Sequence, residues 1–219
     1  WYLYTGPDHP TEPPFKKLGM IPLISADVSN FSSTNMSVIW HTTNPYRFFV
    51  LRAYNVQRSD GRKMYVIDIN PSTHAMKWGV VHDFANDANM GKWWNEDVNN
   101  IITWEEYGEP SKDMKIWGFN VKRNVFEMKA CGIYRMDESV NPPTLTQISY
   151  TDDMNKIDRN NNPKGLYGIS PSGKYIVHRY MDNLNPVGAT CYAVYDLNWN
   201  YKFRFWADHY DLGLDAEGR

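Results

Sequence analysis

The feature that most constrains the fold is a strand–turn–strand–loop–strand pattern over residues 165–198. Its tight turn is the tetrapeptide Ser-Pro-Ser-Gly at 170–173, in which proline presets one φ angle and glycine supplies the positive φ that closes the turn. The flanking segments are rich in tyrosine, isoleucine and valine, which favour β-strands. A polar stretch at 182–188 leads to a third such segment at 191–197. The pattern predicts an antiparallel meander.

The same pattern recurs earlier in the chain. A turn at 44–46 is followed by an apolar segment, and a second turn at 59–61 is followed by another. The Asp-Ile-Asn tripeptide at 68–70 then aligns with Asp-Leu-Asn at 196–198, and a weaker copy of the pattern spans 100–121. Turn-separated strands occur in every antiparallel protein. Sequential sheet units spaced by roughly 40 to 50 residues, however, favour the blades of a β-propeller.

Residues 169–177, followed by 192–197, resemble a blade of the WD-type and related β-propellers. Those families often carry a Ser-Pro-Asp-Gly-like turn and an apolar strand that ends in aspartate. This chain has Ser172 where aspartate is usual, and no Trp-Asp pair closes a blade. The resemblance covers residues 37–219. It implies an all-β array of four-stranded antiparallel blades, an incomplete ring of about three to four blades, and no particular activity.

The pattern and the resemblance together predict how the chain is divided. Residues 1–36 form an extended arm, because their many prolines exclude a helix or a central strand. Blades are predicted at 37–82, 83–135 and 165–208, with an insertion at 136–164 and the start of another blade at 209. Since the last unit begins without being completed, we expect a processed chain or a fragment of a longer protein.

Charge and hydropathy exclude several function classes. The 219 residues include 23 basic and 25 acidic side chains with no basic block, which argues against binding nucleic acid or anionic membranes. The longest apolar segments, such as the one at 48–51, are far too short to span a bilayer. The 15 tyrosines, 9 tryptophans and 9 phenylalanines suit sheet cores and also stacking surfaces for sugars.

Cysteine content and general composition bear on the compartment. Cys131 and Cys191 allow one disulfide, although two buried thiols are the favoured interpretation. Abundant asparagine, tryptophan and tyrosine, with few helix-forming stretches, predict an extracellular or cell-surface protein, with the periplasm as an alternative.

A polar segment at 83–97 surrounds the adjacent pair Trp93 and Trp94. Loops on rigid scaffolds often carry function, so an exposed indole in this segment could form a stacking platform. Alternatively, both tryptophans pack as core under the loop, since tryptophan is highly buried on average.

A second loop resembles the start of a calcium-binding loop, because the oxygen-bearing side chains of Asp158, Asn160 and Asn162 alternate. Pro163 and Ile169 stand where such a loop requires glycine and glutamate. A solvated, asparagine-rich loop is therefore favoured, and no cofactor is predicted, with calcium kept as the alternative.

Two histidine–aspartate pairs are the remaining candidates, His82 with Asp83 and His209 with Asp211. Equivalent positions of different blades meet on one rim of a propeller, where such pairs could bind a metal ion or act as acid and base. Alternatively, they hydrogen-bond the loops between units. The chain has no nucleophile elbow, phosphate-binding loop, H-E-x-x-H or C-x-x-C motif.

Three functions follow from these observations. The leading hypothesis is a non-enzymatic propeller that serves as a structural, assembly or interaction module, with another protein or further copies of the chain completing the sheet array. The first alternative is a polysaccharide-active lyase or glycosidase. Propeller enzymes of this kind use histidine, arginine and acidic residues, so the catalytic candidates are His82, Arg179, His209 and Asp211. The second is a lectin-like, glycan-binding module. The candidate ligand-binding residues are His82, Asp83, Trp93, Trp94, His209 and Asp211.

Overall fold

The computed structural model describes residues 2–4, 17–20, 36–52, 63–96, 100–103, 110–123, 127–153, 166–181 and 190–207. A short hairpin pairs β1 (Tyr2–Tyr4) with β2 (Lys17–Met20), and three four-stranded antiparallel sheets follow. The first sheet contains β3 (Met36–Trp40), β4 (Arg47–Arg52), β5 (Lys63–Ile69) and β6 (Met76–Asp83). The second contains β7 (Asn100–Thr103), β8 (Ile116–Arg123), β9 (Glu127–Asp137) and β10 (Thr144–Thr151). The third contains β11 (Leu166–Ile169), β12 (Tyr175–Met181), β13 (Thr190–Asp196) and β14 (Tyr201–Ala207).

Each four-stranded sheet is a meander, in which the strands follow one another across the sheet in chain order. Among the described residues, helical structure consists of a 3₁₀ turn at Phe84–Asn86 and the α-helix α1 at Met90–Glu96, both between the first and second sheets. The predicted all-β class with four-stranded antiparallel units is therefore confirmed. No helix in this part of the chain is long and apolar enough to cross a membrane.

The strand β10 lies inside the segment 136–164 that the sequence analysis assigns to an insertion. It pairs with β9 from Thr144, opposite Asp137, to Thr151, opposite Cys131. This pairing forms because β9 continues to Asp137 before residues 138–143 turn the chain back along it. The boundary predicted at residue 135 thus falls within β9, and the second unit extends to the end of β10.

The strand pairing in the first and third sheets gives the same alignment of units as the tripeptides at 68–70 and 196–198. Asp68 lies opposite Arg47 at the start of β4, and Asp196 lies opposite Tyr175 at the start of β12. Ile116 begins the corresponding strand, β8, of the second sheet. Arg47, Ile116 and Tyr175 are therefore equivalent positions.

Successive side chains of a strand point to opposite faces of its sheet, so each sheet has two faces. We call one of them the leading face: it carries Phe48 in the first sheet, Trp117 in the second and Ile176 in the third. The opposite face is the trailing face, which carries Phe49 in the first sheet and Val177 in the third. The trailing face of the first sheet packs against the leading face of the second in one buried cluster. The trailing face of the second sheet packs against the leading face of the third in another. The three sheets therefore stack face to face in chain order.

Aromatic side chains fill the interface between the first and second sheets. The ring of Phe49 meets that of Trp117 edge-on at a centroid distance of 5.0 Å. The ring centroid of Phe119 lies 4.7 Å from that of Phe84 and 5.3 Å from that of Tyr134. All five side chains are almost completely buried. Such ring pairs stabilise a fold by roughly 0.5–1.5 kcal/mol each beyond the area they bury, so this interface is a principal source of stability.

The turn between the first two strands is built alike in the second and third units. The backbone N–H of Ser111 donates to the carbonyl of Ile116, and that of Ser170 donates to the carbonyl of Tyr175. The serine Oγ accepts the returning backbone N–H in both turns, at 2.9 Å from Ile116 and 3.1 Å from Tyr175. Ser111 and Ser170 are therefore equivalent residues.

The first unit has His41 at this position. Its backbone N–H donates to the carbonyl of Arg47. Its ring Nδ1 accepts the backbone N–H groups of Thr43 at 3.1 Å and Asn44 at 3.0 Å, so it satisfies turn donors as the serine hydroxyls do. The turn predicted at 44–46 is therefore a third copy, with histidine where the other two copies have serine.

These equivalent turns are joined in series. The hydroxyl of Thr42 donates to the carbonyl of Lys112 at 2.9 Å, and the backbone N–H of Lys112 donates to the carbonyl of Pro171 at 3.0 Å. Gly173 has a φ of +69°, and a Cβ atom there would lie 3.0 Å from Cγ1 of Ile116. Glycine thus permits both the turn and its close approach to the second sheet. Equivalent turns of consecutive sheets therefore lie side by side at one edge of the stack.

Candidate functional site

A network of hydrogen bonds around His82 joins the first and second sheets. Nε2 of His82 lies 2.9 and 3.0 Å from the two carboxylate oxygens of Asp87. The same carboxylate accepts a hydrogen bond of 2.5 Å from the hydroxyl of Tyr134 in β9. Gln147 in β10 donates to that hydroxyl at 2.9 Å, and Asn89 donates to Gln147 at 2.8 Å. These five residues form what we call the His82 network.

The His82 network is largely closed to solvent. The ring of His82 meets those of Phe84 and Tyr134 edge-on at 4.7 and 5.3 Å, and Tyr134 is fully buried. Burial raises the pKa of the Tyr134 hydroxyl far above its ordinary value, and the nearby Asp87 carboxylate raises it further. The hydroxyl therefore stays protonated and remains a hydrogen-bond donor to Asp87.

We expect Tyr134 to make the protein less stable in alkali. Above its ordinary pKa of 10.0 the unfolded chain loses the tyrosine proton that the folded protein keeps. The free energy of unfolding should then fall with rising pH, by up to about 1.4 kcal/mol per pH unit from this group. Urea unfolding at several pH values above 9 measures this dependence. The free energy of unfolding should fall less steeply with pH for Tyr134→Phe than for the unmodified protein.

The matched control is Phe84→Leu, which disturbs the same aromatic cluster but removes no ionisable group. Its free energy of unfolding should fall with pH as steeply as that of the unmodified protein. Other tyrosines also contribute to this pH dependence. Equal slopes for the unmodified protein and Tyr134→Phe would contradict the burial of this hydroxyl against Asp87.

A second polar cluster joins the same two sheets near the edge where the turns lie. His41 Nε2 lies 3.1 Å from both carboxylate oxygens of Glu138. Arg47 donates to Glu138 through Nη1 at 3.1 Å and to both oxygens of Asp68 at 2.7 and 3.0 Å. Hydrogen bonding to Asp68 raises the pKa of Arg47 despite partial burial. We call these four residues the Arg47 cluster, and they tie β3 and β4 to the turn after β9.

Trp93 lies on α1, beside the surface of β10. Its Nε1 donates to the hydroxyl of Tyr150 at 2.5 Å, and its half-buried ring packs against the core between the first and second sheets. Lys92 Nζ lies 4.9 Å from the centroid of the Trp93 ring and pairs with Asp152 at 2.8 Å. That pairing lowers the pKa of Asp152. The indole therefore anchors α1 to the second sheet, and Lys92 lies over its ring.

The remaining candidates divide into those that the structure describes and those that it does not. Asp83 caps the 3₁₀ turn by accepting the backbone N–H of Ala85 at 3.2 Å, and it lies 3.9 Å from Lys63 Nζ. Trp94 belongs to α1 and Arg179 to β12, but their side chains lie outside the described part of the structure. The other candidates lie outside the described residues altogether: Asp158, Asn160, Asn162, His209 and Asp211. A rim shared by His82 and His209 therefore stays a prediction.

The described residues contain no group of three or more histidine, cysteine, aspartate or glutamate side chains placed to hold a metal ion. Cys131 is buried, and its thiol donates to Oδ1 of Asn120 at 2.9 Å. The side chain of Cys191 is not among those described.

No family model matches this sequence, and no curated protein matches it significantly.

Sequence reasoning found His82 but missed the residues to which it is bonded. Asp87 is five positions from His82 in the chain. Tyr134, which also bonds to Asp87, is 47 positions beyond Asp87. His41 and Glu138 of the Arg47 cluster are 97 positions apart. A single sequence carries no signal for such pairs, because the residues meet only when two sheets stack.

Proposed function

We propose that the chain is a sector of a β-propeller and serves as a non-catalytic structural or interaction module. The observation that carries the proposal is the serial bonding of equivalent turns, from Thr42 to Lys112 and from Lys112 to Pro171. This bonding supports the proposal, because consecutive blades of a propeller repeat one meander, face the same way and keep equivalent turns side by side. The composition supports an extracellular or cell-surface location for such a module.

The polar groups between the first two sheets support a structural role rather than catalysis. The carboxylate of Asp87 is bonded to His82 and Tyr134, and the side chains of His82 and Asp87 are only 16% and 13% exposed. In the Arg47 cluster, Glu138 binds both His41 and Arg47. A general acid or base must come within hydrogen-bond reach of a substrate. These groups instead hold neighbouring sheets together.

Incubation with a panel of uronic-acid and neutral polysaccharides tests this proposal. We expect neither cleavage products nor retention of the protein on immobilised glycans. The informative pair of variants is His82→Ala and His41→Ala, because both histidines bridge the same two sheets while only His82 was a catalytic candidate.

Cleavage that is lost in His82→Ala but kept in His41→Ala, with circular dichroism unchanged in both, would overturn the proposal in favour of an enzyme. Glycan retention that is lost in Trp93→Ala would overturn it in favour of a lectin-like module.

A further inference from the structure

The turn of the first unit is held by a titratable side chain, whereas the equivalent turns of the second and third units are held by serine. Nδ1 of His41 accepts the backbone N–H groups of Thr43 at 3.1 Å and Asn44 at 3.0 Å. In the other two turns, Oγ of Ser111 and Oγ of Ser170 each accept a backbone N–H. A serine hydroxyl always has acceptor lone pairs, but an imidazole nitrogen accepts only while it is unprotonated.

The bonding partners of His41 define its tautomer. A backbone N–H can only donate, so Nδ1 carries no proton in this structure. Nε2 therefore carries the proton of the neutral ring, and it lies 3.1 Å from both carboxylate oxygens of Glu138. A neutral imidazole has one donor and one acceptor, and here both are in use. The side chain of His41 is only 10% exposed, which leaves little room for water to replace either partner.

Protonation of His41 removes the acceptor of the turn, whatever it does to the contact with Glu138. An imidazolium carries N–H groups at both nitrogens, so Nδ1–H would face the two backbone N–H groups that Nδ1 now accepts. The carboxylate of Glu138 attracts a charged ring, but Arg47 already binds that carboxylate at 3.1 Å and also binds Asp68. The charged residues of the neighbouring turn are Lys112, Asp113 and Lys115. The charged ring therefore cannot hold the turn in its present form.

The turn held by His41 also carries a bond that joins the first sheet to the second. Thr42 lies between His41 and Thr43 in the chain, and its hydroxyl donates to the carbonyl of Lys112 at 2.9 Å. Glu138, the other partner of the ring, directly follows β9 of the second sheet. Loss of the bonds at Nδ1 therefore loosens the segment that positions Thr42, and the link between the two turns weakens with it.

We propose that His41 is an acid-responsive latch between the first and second sheets. The neutral ring holds the turn at 41–47 closed, and protonation at Nδ1 releases its two backbone N–H groups and loosens the bond from Thr42 to Lys112. Histidine is the side chain whose ordinary titration lies between about pH 5 and 8, so mild acidification is the trigger. The latch requires neither a ring of blades nor a particular partner, and it therefore goes beyond the proposed module function.

Nuclear magnetic resonance of the 219-residue chain, recorded from about pH 7.5 down to about pH 4.5, tests the latch. The ring nitrogens of His41 report its protonation, and exchange of the backbone amide hydrogens of Thr43 and Asn44 reports the state of the turn. After correction for the intrinsic pH dependence of exchange, protection of both amides should fall by about tenfold as the ring gains its proton, as expected for the loss of ordinary hydrogen bonds. The amide of Tyr175, held by Ser170 in the third unit, should keep its protection.

His41→Ser gives the first turn the residue that the other two turns have. Its hydroxyl is an acceptor that does not titrate, so the protection of Thr43 and Asn44 should no longer fall with pH in this variant. His74→Asn is the matched control, because it removes a histidine from the turn between β5 and β6. Asparagine also tolerates the φ of +56° at that position. This control should keep the response of the unmodified protein, whose own titration decides the proposal even where His41→Ser misfolds.

Unchanged protection of Thr43 and Asn44 while the ring of His41 becomes protonated would overturn the latch. A ring that stays neutral down to about pH 4.5 would overturn it as well, and so would a folded His41→Ser variant with the pH response of the unmodified protein. Each of these results leaves the non-catalytic assignment standing, because the polysaccharide panel decides that assignment.

Discussion

Replacing Trp117 by alanine is expected to lower the free energy of unfolding by about 3–5 kcal/mol, the usual cost of deleting a large buried ring. Trp117 is 1% exposed, and its ring packs against Phe49 of the neighbouring sheet. The indole Nε1 also donates to the carbonyl of Met114 at 2.6 Å, which the alanine variant leaves without that donor. Domains of this size are stable by only about 5–15 kcal/mol, so the variant should unfold at a much lower urea concentration.

Two further variants divide the effect of Trp117→Ala into its parts. Trp117→Phe keeps a ring against Phe49 but removes the indole N–H, so we expect a loss of about 1–3 kcal/mol. Tyr46→Ala removes an aromatic ring that is 46% exposed, and it should cost less than about 1 kcal/mol. A cost for Trp117→Ala no larger than that for Tyr46→Ala would contradict the packing of the first sheet on the second.

Replacing Asp87 by alanine is expected to lower the free energy of unfolding by about 2–4 kcal/mol. The Asp87 carboxylate accepts from the hydroxyl of Tyr134 and is bonded to Nε2 of His82, and both groups lie in a largely closed site. Each buried polar group that loses its partner costs about 1–3 kcal/mol. Chemical denaturation at neutral pH measures the loss. Asn86→Ala, at the exposed neighbouring position, should change stability by less than about 0.5 kcal/mol.

A double-mutant cycle between Asp87→Ala and Tyr134→Phe then tests whether the two side chains act as a pair. Residues in one hydrogen-bonded network usually show interaction energies of about 0.5–3 kcal/mol. We expect the double variant to be less destabilised than the sum of the single variants by an amount in that range. Strict additivity would show that the hydrogen bond between them contributes nothing to stability.

Local chemistry explains why the strands and turns could be predicted from the sequence. Alternating apolar residues and turn-forming tetrapeptides act within a few positions of one another, so the strands of the first and third sheets were recognisable. Gly173 adopts the positive φ that its turn predicts. Met114 adopts a φ of +61° at the equivalent position of the second unit, where the residue type gave no such signal.

The second unit shows where local reasoning stops. The sequence predicts a strand-like piece at 144–150 within an insertion, and only the pairing of β10 with β9 places it in the second sheet. Similarly, the sequence predicts a loop around Trp93 and Trp94, whereas both residues belong to α1. The indole of Trp93 is held by Tyr150, which is 57 positions away in the chain.

The sequence by itself determined the β class, the strands of the first and third sheets and the position of the turns at 44–46 and 170–173, because these depend on residues close together in the chain. Only the tertiary structure decided which sheet faces meet and which polar groups join them. A continuous apolar segment such as residues 48–51 indicates that both faces of a strand are buried, but it does not identify the sheet that covers each face. His82, Asp87 and Tyr134 meet because the first sheet stacks on the second, and that stacking is set by the shape and burial of whole faces rather than by any local motif.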